Sequence, residues 1–298
     1  MRHHIRIIFA IIYLNFLSAP SFAQKESNVW YFGYGAGLDF NSGTPVALNN
    51  GKVNVGEGSS TICDNNGNLI FYTDGNNVWN KDHEYLENGR GILGGLSSTQ
   101  ATLIVPHPSS PGLFYLFTTN ENPHIGLRYS VIDMNANAGK GKITLEKNIL
   151  LHSPVTEKLT GIINYKNNET WVMTHEWNSD KFIAFNITNA GLNPTPVISQ
   201  EGTILDCSNC NIGYMKFSPD GKKLALAANW GGDFVEIYDF NVLTGIISKA
   251  TKLNIENPYG LEFSPDNSKL YVSTENGAHH LFQYDITDRN ISTTEEII

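Results

Sequence analysis

The stretch FSPDGKKLALAAN, Phe217 to Asn229, is echoed 46 residues later by FSPDNSKLYVSTEN, Phe263 to Asn276, and Tyr238-Asp239 recurs at the same interval as Tyr284-Asp285. A duplication at this spacing is too long for a hairpin and too short for a domain. The chain is therefore built from a repeated unit that buries its apolar faces against copies of itself. In the clearest unit, four strand-like stretches follow one another: GYMKFS (213–218), KLALAAN (223–229), DFVEIYDF (233–240) and IISKATKLNI (246–255). The turns between them, Pro219-Asp220-Gly221, Trp230-Gly231-Gly232 and Leu243-Thr244-Gly245, each offer a glycine for the positive φ of a tight reversal. A four-stranded antiparallel meander results. The next unit repeats it with YGLEFS (259–264), KLYVST (269–274), HHLFQYDI (279–286) and a weaker NISTTEEI (290–297).

Read backwards, TGIINY, TWVMTHEW and KFIAFNIT (160–188) give a fourth unit, and ATLIVPHP, LFYLFTT and LRYSVIDM a third. The second opens with STICDNNGNLIFYTDGNNVWN (60–80), whose Asn66-Gly67 and Asp74-Gly75 mark successive hairpins. Helical periodicity of useful length appears nowhere. Units of about 40 to 57 residues with four strands each predict an all-β fold, a β-propeller of four-stranded antiparallel blades. Six units are visible. The first, NVWYFG, GLDFNSG and TPVALNNG, aligns with second, third and fourth strands and lacks an inner one. Ring closure would bring that strand from the far end of the chain, and none remains before Ile298. We therefore expect residues 24–298 to be one propeller domain truncated at its C-terminus, part of a seven-bladed ring.

Residues 1–23 read as a secretory signal: Arg2 and Arg6, the apolar run Ile7 to Leu17, and Ser21-Phe22-Ala23 before Gln24. The expected location is secreted or cell surface, with no membrane insertion after cleavage, since no second apolar run approaches a span. Removing the two arginines from the formal −9 leaves −11, which argues against nucleic acid as a partner. In an oxidising compartment Cys207 and Cys210 could close a small disulfide. A redox dithiol would need the pair to open a helix, and zinc would need four ligands. Cys63 reads as a buried small hydrophobe in a strand.

NVWYFGYGAGLDFNSGTP, EGSSTICDNNGNLIFYTDGNNVWN, LGGLSSTQATLIVP, EKLTGI, GYMKFSPDGKKLA and YGLEFSPDNSKLYVS together resemble the N-terminal propeller of gliding motility-associated, type IX secreted proteins of the type B sorting class. The likeness runs over residues 28 to 290. It implies an exported modular protein and brings no catalytic residue with it.

The segments entering the innermost strands ring one mouth of a propeller channel. They supply Glu57, Ser59, Ser60, Ser98, Thr99, Gln100, Glu157, Lys158, Asn211, Tyr214, Asn257 and Tyr259. Such a collar suits neutral polar ligands through hydrogen bonds and ring stacking, and the competing reading is that these side chains serve neighbouring backbone. We expect a non-catalytic binding or scaffold propeller that holds a glycan or peptide at the cell surface, with no cofactor and no metal. The alternative is a calcium-dependent propeller hydrolase acting on an ester or lactone, for which only Glu57, Glu157 and Asn211 could converge. Asp64 to Asn68 reads as a hairpin turn rather than a calcium loop. His279 and His280 point to opposite faces, and GYGAG lies between strands rather than before a helix. No G-x-S-x-G elbow or H-E-x-x-H run is present. The five tryptophans read mainly as blade packing.

Overall fold

The computed structural model describes residues 25–206, 210–275 and 279–298. The signal segment expected over 1–23 lies outside them, as does Cys207. The chain is all-β, in successive antiparallel sheets arranged as propeller blades. The first sheet holds β1 (Val29–Phe32), β2 (Ala36–Asp39) and β3 (Val46–Leu48), and the second β4 (Ser60–Cys63), β5 (Leu69–Thr73), β6 (Asn77–Asn80) and β7 (Tyr85–Arg90). The third holds β8 (Thr102–Pro106), β9 (Leu113–Thr118) and β10 (Leu127–Asp133), with an outer strand in two pieces, β11 (Lys142–Ile143) and β12 (Ile149–His152). One parallel pairing, Lys142 with Glu87, ties β11 to β7 and fuses the second and third sheets. In the fourth, β13 (Val155–Asn164), β14 (Glu169–Glu176) and β15 (Lys181–Thr188) are followed by another split outer strand, β16 (Gly191–Leu192) and β17 (Val197–Gln200). The fifth runs β18 (Met215–Phe217), β19 (Lys223–Ala228), β20 (Phe234–Asn241) and β21 (Ile246–Asn254). The sixth runs β22 (Pro258–Phe263), β23 (Lys269–Thr274), β24 (Leu281–Asp285) and β25 (Glu296–Ile297).

The repeated words have a repeated structure. In both Ser-Pro-Asp turns the serine hydroxyl donates to the aspartate, Ser218 to Asp220 at 2.8 Å and Ser264 to Asp266 at 2.6 Å. Each serine oxygen also accepts the amide that opens the next strand, from Lys223 at 2.9 Å and Lys269 at 2.8 Å. The lysines pair across to Asp239 and Asp285, both at 2.7 Å. Alternation along each strand leaves one apolar row per face, and those rows meet between neighbouring sheets. Met173 and Phe182 thus pack with Met215, Phe217 and Tyr238, while Ala225 and Val235 pack with Leu261 and Val272.

Two expectations are corrected. NISTTEEI is not a full outer strand. Ile291–Thr294 form a 3-10 turn because the hydroxyls of Thr293 and Thr294 bond back to the carbonyls of Asn290 and Ile291, leaving only β25 to pair with β24. Glu157 and Lys158, expected in a segment entering an inner strand, lie within β13, which begins at Val155. Asp64 caps its own hairpin, accepting the amides of Asn66 and Asn68.

Candidate functional site

Two bulges shape one end of the channel. In β13, Val155 faces Glu176 and the next pair is Leu159 with Thr174, so Thr156, Glu157 and Lys158 together answer His175 alone. In β22, Pro258 faces Thr274 and Leu261 faces Val272, so Tyr259 and Gly260 together answer Ser273. A bulge breaks alternation and re-aims the extra side chains. Here that brings Glu157, Lys158 and Tyr259 to the loops of other blades.

Glu157 is buried and nearly saturated. Its Oε2 accepts the Thr99 amide at 2.7 Å and the Thr99 hydroxyl at 2.9 Å, and its Oε1 accepts Asn211 Nδ2 at 3.0 Å. Burial pushes its pKa up against those donors. Fully buried Lys158 aims Nζ at the carbonyl oxygens of Ile212 (2.8 Å), Gly213 (2.9 Å), Ala227 (2.7 Å) and Asn211 (3.2 Å). Burial pulls its pKa down to about 7, with the Glu157 carboxylate opposing. His175, buried beside it, is held neutral by burial and the lysine charge, its pKa pulled down to about 3.

Glu57 is the less committed carboxyl. Its Oε1 accepts the Tyr259 hydroxyl at 3.2 Å, a bond between residues 202 apart in sequence, while its Oε2 is buried without a partner among the described residues. Burial raises its pKa, the Tyr259 and Ser97 side chains oppose, and the Glu157 and Glu275 charges push it further up. Tyr214 packs its ring 5.8 Å from that of Tyr259. Gln100 locks three blades together, donating to the Met215 carbonyl at 3.0 Å and accepting the amides of Met215 at 2.8 Å and Leu159 at 3.3 Å.

The remaining expected residues divide. Ser59 donates to the Tyr31 carbonyl and Ser60 to that of Thr102, so both hold neighbouring blades. Ser98 meets Thr119 only at 3.5 Å. Asn257 stands apart in a turn at φ +48, its amide held by Asp233. Sequence reasoning missed Asn229 and Glu275, which bond each other at 3.2 Å. They are equivalent positions one repeat of 46 residues apart, so the periodicity itself pointed to them. It also missed Lys216, which pairs with Glu262 at 2.7 Å and lines the chamber. Cys210 is disulfide-bonded, and its expected partner Cys207 lies outside the described residues. Cys63 is buried and free.

Glu57, Thr99, Gln100, Tyr214 and Lys216 border a chamber of about 400 Å³ that reaches down to Phe32 and Leu103. Calcium does not fit this donor set. Both Glu157 oxygens are occupied, and the buried oxygens of the mouth that lack partners among the described residues, Glu57 Oε2, Asn211 Oδ1 and Asn229 Oδ1, bring one carboxylate where a hard cation takes six or more oxygens. The Lys158 ammonium, bound to the Asn211 carbonyl, adds a repelling charge. Among the described residues no helix is long and apolar enough to cross a membrane.

No family model matches the chain, and no curated protein does. Solved structures are similar over most of its length. A "putative 6-phosphogluconolactonase" from Bacteroides uniformis is 16% identical with a TM-score of 0.53, covering 88% of this chain and 78% of that chain. A functionally unknown protein from Desulfotomaculum acetoxidans is 13% identical with a TM-score of 0.50, covering 90% and 84%. A second protein described as the first, from Bacteroides fragilis, is 15% identical with a TM-score of 0.49, covering 88% and 89%. At these identities the likeness establishes the β-propeller fold. It also overturns the expectation of a non-catalytic binding or scaffold module, because the neighbour at 0.53 bears an enzyme's name. The physical reason agrees: most of the polar collar is spent on blade contacts, and what remains is a carboxyl with a raised pKa and an uncommitted oxygen.

Proposed function

We propose that the chain is an exported hydrolase of the ester and lactone class, with Glu57 as general base. The observation that carries this reading is Glu57 at the chamber wall, one oxygen steadied by Tyr259 and the other without a partner among the described residues. Burial raises its pKa toward the range in which a carboxylate takes a proton usefully. In the reaction, the Glu57 carboxylate removes a proton from water as the water oxygen bonds to the carbonyl carbon. Tyr214 lines the chamber, and its hydroxyl serves the oxyanion. The carbon–oxygen ester bond then breaks, and the proton held on Glu57 passes to the leaving oxygen, giving a hydroxy acid.

The name of the Bacteroides uniformis neighbour, itself a lactonase name, supports the reaction class. Export is supported by the signal-like segment 1–23 and by the resemblance to gliding motility-associated, type IX secreted propellers, with residues 24–298 as the enzyme's domain. Lactone opening releases one proton at neutral pH and is followed by pH-stat with glucono-δ-lactone and δ-valerolactone. Turnover that falls at least a hundredfold in Glu57→Gln supports the assignment. Undiminished turnover in that variant, or none with any ester or lactone, overturns it.

A further inference from the structure

Below the polar chamber the channel opens into a second cavity of about 840 Å³, bordered by Trp30, Phe32, Leu103, Ile104, Pro106 and Ile163. The two spaces share Phe32, Ser59 and Leu103 in their walls, so the second cavity adjoins the chamber that Glu57 borders. Its volume lies in the range of about 300–1,000 Å³ that small-molecule sites occupy. Three hydroxyls in its wall are already engaged. Ser59 donates to the Tyr31 carbonyl, Ser60 to that of Thr102, and Thr61 accepts the Tyr31 amide. The Trp30 indole N–H is likewise used, on the Ser27 carbonyl at 2.7 Å. A sugar chain entering here would lose its water and find few partners, at a cost that an alkyl chain does not meet. Trp30, Phe32 and Ile163 keep a third to a half of their surface exposed, apolar area that an apolar occupant would cover. Glu26 is the exception in the wall; its Oε2 has no partner among the described residues, which disfavours a chain ending in an anion.

We propose that the substrate is an amphiphile, a lactone or ester with an extended neutral apolar chain, its carbonyl in the polar chamber beside Glu57 and its chain in the cavity between Phe32 and Ile163. This rests on the hydrolase reading and narrows it. The test compares δ-valerolactone, δ-octalactone and δ-dodecalactone, with alkyl δ-lactams of matching length as ligands that are not turned over. The kcat/KM rises about fourfold per added methylene until the cavity is filled, the factor that about 0.8 kcal/mol per buried CH2 represents. Ile163→Asp, at a partly exposed position in the cavity wall, abolishes that rise. If δ-valerolactone is opened as well as the longer lactones, or if Ile163→Asp leaves the chain-length series intact, the amphiphile assignment is overturned while the hydrolase stands. If no lactone is opened but lactam affinity rises with chain length and falls in Ile163→Asp, the cavity assignment is supported and the hydrolase fails. If lactams bind without regard to length and no lactone is opened, both fall.

Discussion

Lys158→Met isolates the contact that fixes the site's geometry. The ammonium has three protons for the carbonyls of Asn211, Ile212, Gly213 and Ala227, and the first three belong to the loop that carries Asn211 to Glu157. Methionine fills similar space and carries no donor. It relieves the cost of burying an ammonium but leaves the carbonyls dry, and an unsatisfied buried polar group costs about 1–3 kcal/mol. Removing one side of a buried charged contact costs about 3–5 kcal/mol, so we expect a loss of ~4 kcal/mol. For a domain of this size each kcal/mol moves the midpoint by roughly 2 °C, a fall of about 8 °C. Urea unfolding at pH 6 followed by circular dichroism gives the free energy, and scanning calorimetry the midpoint. An unchanged slope with urea ties the loss to the native contact rather than to the unfolded chain. A variant within about 1 kcal/mol of the parent, roughly a quarter of the expected loss, would refute the reasoning.

The same lysine gives a pH signature. The folded chain sheds its proton from about 7 while the unfolded chain keeps it to the ordinary lysine value of 10.5, so stability from this group rises with pH across that window, and a Lys158→Met profile running parallel to the parent's would contradict it. In lactone hydrolysis the acid limb of kcat/KM has its midpoint above 4.5, because burial raises Glu57; Tyr259→Phe removes the opposing hydrogen bond and moves the limb higher, and a downward move counts against the assignment. Gly58→Ala places a Cβ 2.3 Å from the Ala101 amide and 2.9 Å from the Ser98 carbonyl, so urea unfolding should show a loss of about 1–3 kcal/mol, and a neutral result means the loop yields freely. Lys223→Met, which breaks the half-exposed pair with Asp239, costs less than about 1 kcal/mol, and a larger loss would show that the repeated ion pair is a stabilising element of the blade.

The amino-acid sequence by itself determined the unit of construction. Ser218-Pro219-Asp220 and Ser264-Pro265-Asp266 close their turns with their own side chains, and Leu224, Leu226 and Ala228 keep to one face by simple alternation, so each blade follows from contacts within a few residues. Local patterns went wrong where local hydrogen bonds competed, as at Thr293 and Thr294. Which polar residues meet, and what they do on meeting, only the tertiary structure decided. Glu157 and Lys158 are neighbours that read as one mouth segment, yet the bulge opposite His175 sends the carboxylate to Thr99 and the ammonium to the loop at 211–213. Tyr259 finds Glu57 across 202 residues, and Ser59 and Ser60 spend their hydroxyls on adjacent blades rather than on a ligand. Alternation fixes the face on which a side chain stands. The residue it meets depends on the bulges and on how the blades stack, and those are set by packing between segments far apart in the chain, for which the residues themselves carry no local signal.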